Sequence, residues 1–111
     1  MTKTICLDFD GVICESHGGW VDITEFKPIK GAFEAIVKLR LRGFNIIVCS
    51  SRPVEQVGTW MFHNWPRMAP YGDVPECTNT KPHALVYIDD HALLFKNWDQ
   101  TWEDLKPLMK K

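Results

Sequence analysis

Three short apolar runs, each closed by an acidic or hydroxyl residue, restrict this chain most. Thr4, Ile5, Cys6 and Leu7 end at Asp8; residues 44–49 (Phe, Asn, Ile, Ile, Val, Cys) end at Ser50; residues 84–88 (Ala, Leu, Val, Tyr, Ile) end at Asp89. A strand with one wet face alternates apolar and polar residues, whereas near-continuous runs suit a parallel sheet covered on both faces. The runs are far shorter than the ~18 apolar residues that would span a bilayer.

The stretches between the runs have helical period. Across residues 29–42, Ile29, Ala32, Phe33, Ile36 and Leu39 form an apolar stripe and Lys30, Glu34, Lys38 and Arg42 a polar one. Pro28 suits the start of this helix and Gly43 the position just past its end. Residues 53–63 read as a weaker helix, interrupted by Gly58 and closed by Pro66, and residues 67–80 are rich in turn formers. A short strand is expected over residues 74–77, and Leu93, Leu94 and Phe95 suggest a short edge strand. Thr101, Trp102, Glu103 and Asp104 offer a capping-box start for a C-terminal helix. The order β-α-β-α-(β)-β-α predicts a three-layer α/β/α sandwich around a mostly parallel, Rossmann-like sheet. A chain of 111 residues, 45% of them apolar, forms one such domain over residues 1–111 without disulfide or metal staples.

Charge and cysteine usage narrow the setting. Thirteen Lys and Arg against fourteen Asp and Glu give a net charge of -1, which argues against a broad electrostatic grip on nucleic acid or anionic lipid. Cys6, Cys14, Cys49 and Cys77 form neither a CxxC pair nor a Cys/His metal spacing. Cys6 and Cys49 sit inside apolar runs as small hydrophobes, which suits a reducing compartment. Met1 leads directly into the first apolar run without a leader pattern, so a cytoplasmic location is the expectation.

In open α/β sheets, ligands bind beyond the carboxyl ends of the strands. Asp8, Ser50 and Asp89 all fall there. In Asp8-Phe9-Asp10-Gly11 two carboxylates at i and i+2 share one side of an extended chain, and Gly11 permits a sharp turn. Asp89 and Asp90 add two more carboxylates. Such a group repels itself unless a cation or raised proton affinity relieves it, and oxygen-only donors favour Mg²⁺. Ser50 can supply a hydroxyl donor and Lys81 an ammonium, which completes the parts of a phosphate site.

These segments, in this order, resemble the haloacid dehalogenase-like phosphohydrolase superfamily. Residues 7–12 match its first motif, 47–52 the second, Lys81-Pro82 the third and 87–90 the fourth. The resemblance implies a phosphomonoester phosphatase with Asp8 as nucleophile and Asp10 as general acid and then base. Asp8, the backbone carbonyl of Asp10 and Asp89 would hold Mg²⁺, while Ser50 and Lys81 would face the transferring phosphoryl oxygens, with Asp90 outside the ligand set. Ser51 replaces Ser50 if the strand ends one residue later. The spacings leave no room for the family's inserted cap domain, so a minimal, capless member with an exposed site is expected.

Other residues carry weaker signals. The segment from Glu15 to Trp20, with Gly18 and Gly19, is a candidate flap. His91 follows the acidic pair and can either touch substrate or serve as a turn residue; Arg52 can contact a phosphate or pair with an acid. Trp60, Met61, Phe62, Trp65 and Met68 read as core or as a patch between copies. The expected partner is a phosphorylated small molecule or macromolecule, with no membrane partner, no strong nucleic-acid signal and an oligomer left open. Three other functions remain: a nucleotide or nucleic-acid-end phosphatase, a receiver-type phospho-accepting domain, or a phosphate-binding module without turnover, which the presence of Asp10 disfavours. Receivers place the acidic pair early and the phosphorylated Asp mid-chain, the reverse of the order here.

Overall fold

A computed structural model describes residues 2–15 and 23–109. The candidate flap, apart from Glu15, lies outside the described residues, as does His17. Along the chain run β1 (Thr4–Asp8), α1 (Ala32–Leu41), β2 (Asn45–Cys49), α2 (Val54–Asn64), β3 (Glu76–Thr78), β4 (Val86–Ile88) and α3 (Trp98–Met109). The strands form one sheet in the order β3-β2-β1-β4, and every pairing is parallel. The α/β class and parallel sheet expected from the apolar runs are therefore present.

Register explains the faces. Ile5 pairs with Ile46 and Leu7 with Val48, so these side chains share one face. They are buried in one cluster with Phe33 and Ile36 of α1 and Val57, Trp60 and Met61 of α2. Phe33 lies with its ring centroid 6.2 Å from that of Trp60, and Phe9 packs edge-on against Trp60 at 5.1 Å. Both packed helices thus cover the same face. Cys6, Asp8, Cys49 and Tyr87 belong to the opposite face by the same register. Among the described residues α3 approaches no strand or other helix, and its Trp98 and Trp102 are exposed. Among the described residues no helix packs on that opposite face, where the third layer was expected.

The ends of the elements follow local chemistry. α1 starts three residues later than its apolar period suggests, because Ile29 donates its N–H to the carbonyl of Ile13 at 2.7 Å and Pro28 bridges to Cys14. Gly43 follows the last turn at φ 92°, the left-handed position that favours glycine. α2 runs through Gly58 and stops where Trp65 turns extended before Pro66. Leu93, Leu94 and Phe95 form no strand. α3 begins at Trp98 rather than near Thr101, because Asn97 accepts the Gln100 N–H at 2.8 Å and caps the helix. Thr101 instead donates its hydroxyl to the Asn97 carbonyl at 2.9 Å.

Candidate functional site

Strand order locates the site. From β1 the chain steps to β2 and β3 on one side, while β4 returns to the other side of β1. The carboxyl end of β1 is therefore the switch point of the sheet, where a crevice opens. Asp8 ends β1 there, and Asp89 follows directly from β4.

Asp8, Asp89 and Asp90 each offer a carboxylate oxygen within 4.8 Å of the others. Burial, followed by the like charges of Asp89, Asp90 and Asp10, pushes the Asp8 carboxyl up to about 6, against a hydrogen bond from the Phe9 backbone that favours its anion. Asp90, expected outside the group, is a full part of it. Its carboxylate lies so close to Gly11 that a Cβ there would collide with it, and Gly11 adopts φ 82°. Glycine is needed at that position for both reasons. The turn after Asp89 is set by the His91 N–H, which donates to Asp89 Oδ1 at 2.8 Å. The exposed His91 ring has Nε2 3.6 Å from Asp90 Oδ2.

Asp10 is held elsewhere. The buried Arg52 grips its carboxylate through Nε at 2.9 and 3.1 Å and Nη2 at 2.9 Å. This contact strengthens the hold of the guanidinium on its proton. Arg52 also donates its backbone N–H to Ser50 Oγ at 3.1 Å, so one residue ties Ser50 through its backbone and Asp10 through its side chain. Of the sequence alternatives for Arg52, pairing with an acid is the one observed.

A cleft of about 380 Å³ joins these parts. Asp8, Ser50, Ser51, Lys81 and Asp89 all line it. Ser50 is buried and Lys81 exposed, its Nζ 4.3 Å from the centre of the Tyr87 ring. The structure therefore brings together Asp8, Ser50, Lys81 and Asp89 as the sequence suggested, while the side chain of Asp10 faces Arg52 instead of the carboxylate group. Among the other lining residues, Asn79 and Tyr87 are polar groups that the sequence did not single out for the site. Asn79 follows the end of β3 and so shares the strand-end position that singled out the others; Tyr87 is paired with Cys6, which puts it on the face below the cleft.

A larger depression of about 600 Å³ lies beside Phe62, Trp65 and Met68. It gathers no group of carboxylates, and the stretch around it divides as a core segment does: Trp60, Met61 and Trp65 are buried, Phe62 and Met68 exposed.

The donors around Asp8 are all oxygens, closely spaced and mutually repelling, which is what a hard divalent cation such as Mg²⁺ accepts. Chemically, the cleft offers a half-buried carboxylate, further oxygen donors close to it, a hydroxyl and an ammonium.

No protein-family model matches this chain, and no curated protein does. A solved structure, described as that of a conserved protein from Bacteroides thetaiotaomicron, is similar in fold: TM-score 0.54 and 19% sequence identity over 99% of this chain and 94% of that one. At that identity the likeness bears on the fold, a small α/β domain with a parallel sheet.

Proposed function

We propose that the chain is a Mg²⁺-dependent phosphomonoester phosphatase of the haloacid dehalogenase-like type, acting through an aspartyl phosphate on Asp8. The observation that carries the reading is the meeting of Asp8, Asp89, Ser50 and Lys81 around one cleft at the switch point of the sheet.

Asp8 attacks the phosphorus in line; the new Oδ–P bond forms as the P–O bond to the leaving alcohol breaks. Asp10 gives a proton to the departing oxygen and later takes one from the water that hydrolyses the acyl phosphate. Since Arg52 occupies both Asp10 oxygens, the pair must open or share an oxygen each time a proton moves. Ser50 and Lys81 hold the phosphoryl oxygens as charge shifts between them. Asp8, Asp89 and Asp90 would hold Mg²⁺, which when bound offsets the crowded negative charge and favours the anionic Asp8. Among the described residues no helix is long and apolar enough to cross a membrane. The four free thiols fit the reducing, cytoplasmic setting that belongs to this reading.

The test is phosphate release from a panel of sugar phosphates, nucleotides and phosphorylated oligonucleotides, with and without Mg²⁺. Turnover is expected to need Mg²⁺ and to fall by at least about 10³-fold in Asp8→Asn, the scale lost when a covalent nucleophile is removed. Equal rates in wild type and Asp8→Asn would refute the nucleophile. A panel ranking led by oligonucleotides would turn the reading toward end processing of nucleic acid.

A further inference from the structure

The apolar surface left in water is concentrated in one part of the chain. Leu85, just before β4, and Val86, Tyr87 and Ile88 within it are exposed, and Trp98, Trp102, Leu108 and Met109 are exposed along α3. β4 is an edge strand, paired only to β1. On α3, Trp98, Trp102, Leu105 and Met109 form one stripe at helical spacing, with Asp99, Gln100, Glu103 and Lys106 away from it. A three-turn helix with such a stripe is marginal in water without something to pack on.

The whole chain shows the same surplus. Its accessible surface is 8072 Å², where a compact monomer of this mass exposes about 6,300 Å². The radius of gyration is 15.6 Å, against about 13 Å for a compact chain of this length. The excess, about 1,800 Å², is more than the ~800 Å² per partner buried in a standard stable interface. The outward course of α3 is also built: Asn97 caps its first turn, and Phe95 packs edge-on against Trp98 at 5.4 Å.

We infer that a second copy of this chain supplies the missing contact: α3 of each protomer lies against the exposed β4 flank of the other, in a two-fold, exchanged dimer. Each chain carries one unpartnered helix face and one unpartnered strand flank, so a two-fold axis satisfies both at once and closes the assembly. The surplus over a compact monomer exceeds what one partner of a standard stable dimer buries. The proposal does not depend on the phosphatase reading, although Tyr87 and Ile88 of the strand flank also line the cleft.

Light scattering on the full chain tests it, together with small-angle scattering and two variants, Val86→Glu on the strand and Trp102→Glu on the helix. The wild type is expected at twice the monomer mass at micromolar concentration. Each variant should dissociate at least about tenfold more readily, because a charge then enters the contact, with far-UV circular dichroism reporting that the fold is kept. Mixing the two variants should restore dimer, since one intact helix then meets one intact strand. A monomer up to about 100 μM, beyond the range of a standard interface, would overturn the proposal. So would a compact monomer whose own helix has folded back, or a dimer that Val86→Glu breaks and Trp102→Glu leaves whole, the signature of strand-to-strand pairing.

Discussion

Among single residues, Arg52 governs the most. It sits 42 positions from Asp10 in the chain and still closes on it through both carboxylate oxygens, while its own side chain is almost wholly buried. A buried guanidinium of this kind fixes the direction of its partner, and lysine, a point donor, cannot replace the fork. The consequence for the proposed chemistry is selective. Arg52→Met is expected to slow hydrolysis of alkyl phosphates by about 10²-fold, the lower range of general acid catalysis, and to affect p-nitrophenyl phosphate much less, because that leaving group departs without a proton. Comparing kcat on the two substrate types, with Arg52→Lys recovering part of the loss, checks this; an equal loss on both would assign Arg52 a structural role only. Such a pairing was not legible in the sequence, where Arg52 had several acidic candidates and no local spacing to choose among them. Asp8, Ser50 and Asp89 were legible because each directly follows an apolar run, and a parallel sheet sends all such positions to one edge. Asp90 was harder to place for the opposite reason. Its carboxylate is located by contacts from elsewhere in the fold, among them the close approach of Gly11 from a loop after another strand.

Among the elements, those that pack on the sheet were readable and those that do not were blurred. β1, β2 and β4 lie within their apolar runs, and α1 and α2 follow their stripes to within three residues at either end. Continuous burial or a helical stripe leaves a strong imprint on sequence; β3, at three residues, leaves little. α3 was misplaced because two capping patterns overlap. Thr101-x-x-Asp104 has the appearance of a start, yet Asn97-x-x-Gln100 provides the observed cap. Since α3 has few neighbours within its own chain, the cap carries an unusual share of its order. Asn97→Ala is expected to destabilise the helix by about 1 kcal/mol, read as roughly fivefold faster amide exchange in its first turns, with α1 unchanged. Equal exchange in the variant would mean that contacts rather than the cap hold the helix.

For the molecule as a whole, the burial of Asp8, reinforced by the carboxylates around it, connects stability to pH. Asp8 binds its proton more tightly in the fold, at about 6, than its ordinary value of 3.8. The folded chain therefore holds the extra proton between those values, and stability falls as pH rises through them. The contribution is complete below about pH 4 and lost above about pH 6; because Asp8 is only half-buried, solvent screening limits it to about 1 kcal/mol, or roughly 4 °C in Tm. Wild type minus Asp8→Asn is the quantity to follow by thermal melting, and Mg²⁺ is expected to raise the wild-type Tm above pH 6 and barely at pH 4.5. A difference that is flat with pH and blind to Mg²⁺ would refute the coupled carboxylate group. The layering belongs to this scale too: a period in sequence shows that a helix has an apolar face, without saying which chain presents the surface it meets. The placement of the indoles has an optical consequence. Trp60 and Trp65 lie in the core at 3% exposure each, whereas Trp98 and Trp102 stand at 65% and 56%. Excited indoles emit at shorter wavelength in dry surroundings than in water, so the four tryptophans among the described residues act as a built-in pair of dyes, one group reading the integrity of the interior and the other the wetness of the C-terminal helix.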